Sequence, residues 1–201
     1  MIKNKKYKVD NGIDIFVAEF ISEGNNYYIF RDLLSNEDIS VKKEFSKIEE
    51  YVENSNLYSM QSDKIEAIIS RKEMREMYRL FDKKCVLISI YDPCEKPLNL
   101  NYFNKELYIS FFDITSSIGG CSIISDSESK LIKDFIIQNK DKKFIINCEA
   151  GKSRSAGVGL AIECLLEFNG NKYEYSISNS KIKEHPRYYP NLTVFDKIIN
   201  A

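Results

Sequence analysis

The residues best suited to chemistry lie together in the segment Cys148-Glu149-Ala150-Gly151-Lys152-Ser153-Arg154-Ser155, with five residues between the cysteine and the arginine. The apolar run Phe144-Ile145-Ile146 reads as a buried strand entering this segment. The small and apolar residues from Ser155 to Phe168 read as a helix leaving it, ended by Asn169-Gly170. A glycine-containing loop between strand and helix turns successive backbone N–H groups inward, and the helix N-terminus adds positive potential. Together they make a site for a tetrahedral dianion. In so short a loop the cysteine sits at the floor while the arginine reaches over the rim, where its guanidinium can hold two phosphate oxygens by parallel hydrogen bonds. The same field favours a thiolate: a free cysteine titrates at about 8.5, and helix N-termini and cations lower that value. Attack on phosphorus would give a cysteinyl-phosphate, and Ser155 could hydrogen-bond the sulfur as it leaves again. A buried structural cysteine and a surface arginine are the bland alternatives, and the two residues occurring together around a glycine loop argue against both.

The elements that must position this loop follow an alternating pattern. Ile65–Ile69 reads as a strand, Lys72–Leu80 as a helix, Cys85–Ile90 as a short buried strand closed by Asp92-Pro93, and Leu107–Phe112 as a further strand. Ser127–Gln138 carries Leu131, Ile132, Phe135 and Ile136 at helical spacing. Tyr173–Lys183 and a last segment opened by Pro190 read as helices. Repeated βα units predict an α/β fold with a mostly parallel central sheet of about four strands flanked by helices. Residues 1–61 read differently. Ile13–Val17 and Tyr27–Phe30 form a hairpin around Glu23-Gly24-Asn25, and Val41, Phe45, Ile48 and Val52 share one side of a helix. The expected organisation is a small β-β-α N-terminal extension over 1–61 and a catalytic domain over 62–201.

Cys148-Glu-Ala-Gly-Lys-Ser-Arg154-Ser155 resembles the Cys-x5-Arg-Ser/Thr signature of the cysteine-dependent protein tyrosine and dual-specificity phosphatases, most of all the small bacterial and phage-type members. The resemblance covers roughly residues 63–201. It implies a protein tyrosine phosphatase-like fold and hydrolysis of phosphate monoesters, phosphotyrosine first, with no metal or cofactor. Cys148 would be the nucleophile, Arg154 the phosphate clamp and Ser155 the leaving-group helper. The backbone N–H groups of Glu149, Ala150, Gly151, Lys152, Ser153 and Arg154 would form the cradle. The family supplies an aspartic general acid from a loop after another parallel strand. Asp113 follows Leu107–Phe112, 35 residues before Cys148, and its loop should emerge at the same sheet edge. Asp92 and Asp126 are alternates, Asp126 also reading as a helix cap. Tyr189-Pro190-Asn191 before an apolar helix resembles the family's closing segment, in which the Asn braces the phosphate loop. Where the family carries His before the cysteine, this chain has Asn147, which donates hydrogen bonds but carries no charge. A catalytically weak phosphate-binding pseudophosphatase is therefore the rival reading, and a redox or arsenate-handling thiol protein a third. Lys152 is either a solvated loop charge or a selector of doubly charged substrates, and Glu149 argues against highly anionic ones.

Composition narrows the partners. A net charge of −1 over 201 residues gives no reason to expect nucleic acid or an anionic membrane, and the partner that the resemblance implies is a phosphorylated protein or a small phosphomonoester. Met1–Asn11 has no apolar region of a secretory signal. No apolar run reaches the roughly 18 residues of a membrane helix. Five cysteines without a CxxC pair read as free thiols of a cytoplasmic protein, with Cys94 or Cys121 able to pair with Cys148 under oxidation. One histidine and no clustered cysteines leave no zinc site. Gly151-Lys152-Ser153 is not a nucleotide-binding loop, because Ile146 stands where that motif needs glycine.

Overall fold

The structure, a computed structural model, describes residues 1, 3, 5–10, 15–32, 38–50, 62–117, 119, 121, 123–167 and 180–201. The chain divides into two compact units, Met1–Ser55 with Arg75–Asp82, and Asn56–Met74 with Lys83–Ala201. The boundary expected at 61/62 lies outside the described residues.

The first unit is a five-stranded antiparallel sheet: β1 (Lys6–Asp10), β2 (Ile15–Glu23), β3 (Tyr27–Asp32), β4 (Asp38–Lys42) and β5 (Lys47–Glu50), in the order β4-β3-β2-β1-β5. The β2–β3 hairpin turns at Gly24, whose N–H donates to the Tyr27 carbonyl at 2.8 Å. The helix expected over Val41–Val52 is not formed. The segment is strand, a 3₁₀ turn at Lys43–Phe45, then strand again, and Val52 lies outside the described residues. Ile39 and Val41 alternate with polar neighbours, so a strand brings both to one face. There Val41 pairs in register with Tyr28, and Ile48 with Val9. Tyr7, Val9, Ala18, Phe20, Phe30 and Val41 form the core of that face, with Phe20 and Phe30 edge-to-face at 5.7 Å.

The second unit carries a four-stranded parallel sheet, β6 (Ile65–Ser70), β7 (Val86–Tyr91), β8 (Lys105–Ser110) and β9 (Phe144–Cys148), in the order β6-β9-β7-β8. The α/β architecture expected from the sequence is the one observed. The described helices are α1 (Arg71–Met77), which begins in this unit and ends in the Arg75–Asp82 segment of the first, and, within this unit, α2 (Asp126–Gln138), α3 (Arg154–Ile162), α4 (Lys181–Glu184) and α5 (Leu192–Asn200). Central strands buried on both faces must be apolar throughout, and all five residues of β9 are buried. Phe144 and Ile146 share a core with Val158, Leu160, Phe195 and Ile198. Helix α2 is capped by Ser125, not Asp126: Ser125 Oγ accepts from Glu128 N while the Glu128 carboxylate accepts from Ser125 N, and Asp126 ion-pairs with Lys197. Asn191, not Pro190, caps α5, accepting from Val194 N at 3.2 Å. Of the helix expected over Tyr173–Lys183, residues 173–179 lie outside the described residues; Lys181–Glu184 is helical. No helix among the described residues is long and apolar enough to cross a membrane.

Helix α3 continues as a π turn over Glu163–Glu167, which turns Glu163 into the interior at 1% exposure. Ser180 Oγ donates to Glu163 Oε2 at 2.6 Å, and Oε1 has no partner among the described residues. Burial pushes the Glu163 carboxyl up to about 7; the Ser180 hydrogen bond opposes this and the nearby Glu167 charge adds to it. A carboxyl whose folded value lies above its unfolded value of 4.5 makes ionisation unfavourable in the fold, so stability falls as pH rises from the lower value toward the higher. Glu163→Gln should leave the urea midpoint unchanged at acid pH. Above neutrality it should raise stability by about 2 kcal/mol; equal effects at both pH values would contradict the assignment.

Candidate active site

All four parallel strands deliver polar residues at their C-terminal ends: Ser70 from β6, Asp92 after β7, Asp113 after β8 and Cys148 from β9. This is the edge at which α/β sheets build sites, because helices and loops diverge there and leave a crevice.

The loop from Glu149 to Ser153 is held from outside by its carbonyls. Glu149 O accepts from Arg71 N at 3.2 Å, Lys152 O from Tyr189 N at 2.9 Å, and Ser153 O from Gly157 N at 2.8 Å and Asn191 N at 3.2 Å. Across a trans peptide the C=O and the next N–H point opposite ways. Hence the N–H groups of Ala150, Ser153 and Arg154 face away from the packing that supports the loop. Among the described residues none of the N–H groups of Glu149 through Ser153 donates to a backbone carbonyl. A run of unpaired donors at a helix N-terminus is an anion cradle. Gly151 makes the turn possible. Its φ is +65°, and a Cβ there would lie 2.3 Å from Ile69 C and Ser70 N, so the loop rests directly on the end of β6. Gly157 plays a second part: a Cβ would lie 2.6 Å from the Asn191 carbonyl, so its absence lets the start of α5 approach the start of α3.

Cys148 is 1% exposed and its Sγ lies 3.1 Å from Ser155 Oγ, itself fully buried. Arg154 is 3% exposed, and its guanidinium turns inward across the sheet edge. Nη1 donates to Asp92 Oδ1 and to the Phe111 carbonyl, both at 2.7 Å, while Nε is buried with no hydrogen-bond partner among the described residues. Asp113 Oδ1 accepts from Ser153 Oγ at 2.8 Å and from Asn191 Nδ2 at 2.9 Å, which leaves Oδ2 4.0 Å from Arg154 Nε. The Asp113 side chain is 37% exposed, at the rim.

The structure thus joins Arg154, Asp113 and Asn191 in one network and sets Cys148 against Ser155 at the two ends of the same loop. Asn147 stands apart: it is fully buried, and neither its Oδ1 nor its Nδ2 has a partner among the described residues, so it does not brace the loop by hydrogen bonds. Lys152 and Glu149 are exposed. None of the five cysteines is in a disulfide, Cys94 being exposed and Cys121 half-buried. Asp126 is bound to Lys197 on α5. The role of Asp92 as the anchor of Arg154, and the hydroxyl of Ser153 on Asp113, were not read from the sequence. Asp92 stood out only as a carboxylate at a strand end, and nothing in a sequence says which cation such a group will face. Among the described residues there is no cluster of metal-ligating side chains.

The chain is similar to tyrosine and dual-specificity phosphatases of known structure. One is the human tyrosine phosphatase-like serine/threonine/tyrosine-interacting protein, at 19% identity over 65% of this chain and 83% of that one, with a TM-score of 0.45. Tk-PTP in its active form is 17% identical over 68% and 88%, also at 0.45. Human DUSP28 in its Y102H form is 14% identical over 65% and 81%, at 0.43. No protein-family model matches the chain, and no curated protein matches it.

The cradle's dependence on Gly151 is directly testable. Gly151→Ala forces a side chain into the left-handed region at about 1–2 kcal/mol and into contact with the β6 backbone. Tungstate binding, followed calorimetrically, should fall at least tenfold; undiminished binding would show that the loop does not need this turn.

Proposed function

We propose that the protein hydrolyses phosphate monoesters, phosphotyrosine-like ones first, through a cysteinyl-phosphate intermediate. The observation that carries this reading is the state of Arg154: a nearly fully buried guanidinium, anchored by Nη1 and with Nε making no hydrogen bond among the described residues, beside a loop of unpaired N–H donors that begins at Cys148. A buried donor edge next to a nucleophile is a waiting place for an oxyanion.

The steps follow from the placement. The phosphoryl oxygens lie on the loop N–H groups and on the Nε edge of Arg154. The thiolate of Cys148 attacks phosphorus in line with the ester oxygen; the S–P bond forms as the P–O bond breaks. Asp113, its Oδ1 held by Ser153 and Asn191, carries a proton on Oδ2 and gives it to the departing oxygen. Water then attacks the cysteinyl-phosphate, Asp113 takes the proton back, and sulfur leaves as thiolate with the Ser155 hydroxyl as donor. Phosphate is released and the site is restored.

Asn147 favours a second reading, a phosphate reader with negligible turnover, because this position holds an uncharged side chain with no hydrogen bond. The two separate on p-nitrophenyl phosphate. Turnover that disappears in Cys148→Ser supports the hydrolase; wild-type protein that binds a phosphotyrosyl peptide without turnover supports the reader.

Asp113→Asn should lower kcat by roughly 10²–10⁴ while leaving tungstate affinity nearly unchanged. The loss should grow as the leaving-group alcohol becomes less acidic. Full activity of this variant on an alkyl phosphate would remove Asp113 from the mechanism.

A further inference from the structure

Asp92 holds Arg154, yet Asp92 itself stands on a turn that belongs to no strand or helix. The turn, Asp92-Pro93-Cys94-Glu95-Lys96, is closed by one backbone hydrogen bond, from Glu95 N to Asp92 O at 2.8 Å. What fixes its far end is Arg71, the first residue of α1. The Arg71 side chain is 7% exposed. Its Nη2 donates to the Lys96 carbonyl, Nη1 lies 3.7 Å from Glu95, and Nε lies 4.0 Å from the carboxylate of Glu149 in the phosphate loop. Its backbone N–H also donates to the Glu149 carbonyl. One guanidinium therefore faces both the turn that carries Asp92 and the loop that begins at Cys148.

Arg71 is itself rigidly placed. Ser70 and Glu73 exchange hydrogen bonds in a capping box, Ser70 N to Glu73 Oε2 at 2.6 Å and Glu73 N to Ser70 Oγ at 3.1 Å, and Arg187 grips both oxygens of Glu73 at 2.9 and 2.7 Å. The arrangement is costly for a purely structural side chain. Nη1 is buried with no hydrogen bond among the described residues, and a buried charge with weak partners is commonly outdone in stability by an apolar residue of similar size. Stability alone does not explain a guanidinium here; the positions of the two segments that it joins do.

We propose that Arg71 is a positioning residue of the oxyanion site: it locks the Asp92–Lys96 turn against the phosphate loop, so that Asp92 presents Arg154 with its Nε edge toward the anion. The inference rests on the phosphate-site reading above and adds a residue that touches neither substrate nor sulfur.

A double-mutant cycle on the full-length protein tests it, with calorimetric tungstate affinity and kcat/KM on p-nitrophenyl phosphate as readouts. Arg71→Met and Asp92→Asn should each weaken both by about 10–100-fold, the scale on which a misplaced catalytic group loses rate. The double variant should be no worse than the weaker single one, because both act through one guanidinium. Arg71→Lys keeps the charge but cannot span three acceptors, and should lose about fivefold with its thermal midpoint close to wild type. Multiplicative losses in the cycle, or Arg71→Lys folded with wild-type tungstate affinity, would overturn the assignment. Wild-type protein that binds no tungstate would sink the phosphate-site reading instead.

Discussion

The site depends on one desolvated charge. Arg154 is taken almost wholly out of water, and a guanidinium in that state must be paired or it destabilises the fold by several kcal/mol. The sheet supplies the pairing from neighbouring strands: Asp92 follows β7, the strand beside β9, and the Phe111 carbonyl follows β8, the next one out. The parallel register lets both arrive at the same edge as Cys148. The pairing is deliberately one-sided in its geometry: Nη1 takes both acceptors while Nε takes none. Such an arginine is stable enough to stay buried and still has donor capacity for an incoming oxyanion. Interactions made by donors already in place need no reorganisation when charge develops, which is where most electrostatic catalysis resides.

The loop obeys the same logic through its backbone. Its carbonyls at 149, 152 and 153 are consumed by α1, by the 188–191 segment and by the first turn of α3. Peptide planarity then leaves donors on the other side. Three pieces of chain thus fix the cradle, which explains why glycines sit where backbones meet: Gly151 against β6 and Gly157 against the Asn191 carbonyl. Asn191 joins the two halves of the site. Its backbone N–H holds the Ser153 carbonyl of the loop, its Oδ1 caps α5, and its Nδ2 holds Asp113.

Most of the second unit was legible because buried parallel strands are uninterrupted apolar runs, and helices between them show their own period. Strand–loop–helix around Cys148 could be placed to within a residue or two for that reason. The first unit was legible only in part. Lys6-Tyr7-Lys8-Val9-Asp10 alternates cleanly, but five residues among many charges are a weak signal, and β1 went unread. Val41, Phe45 and Ile48 match a helical face as well as Ile39 and Val41 match a strand; the choice was made by pairing with Tyr28 and Val9, which are distant in sequence. In the site, the residue types and their strand ends could be read, whereas the partner each one faces could not. Asp92 was therefore visible as an acid candidate and not as the anchor of an arginine, and Arg71 was not visible at all.

Asn147 illustrates how the strand separates two questions that the sequence runs together. Side chains alternate across a sheet, so Asn147 and Cys148 project to opposite faces. Cys148 joins the face of Ile146 and α3, where it meets Ser155; Asn147 lies in register with Ile69 and Ser89, and Ser89 Oγ is likewise buried without a partner. A residue here can act on the sulfur only through the backbone that it anchors or through a charge felt across the sheet. Asparagine has no such charge, and among the described residues its side chain makes no hydrogen bond. Cys148 meets Ser155 on its own face, and the loop N–H groups, Ser155 and Arg154 are all positioned without reference to Asn147. The loop's shape is therefore a property of how its carbonyls are held, and substitution before the cysteine changes the field around Cys148 without dismantling that shape.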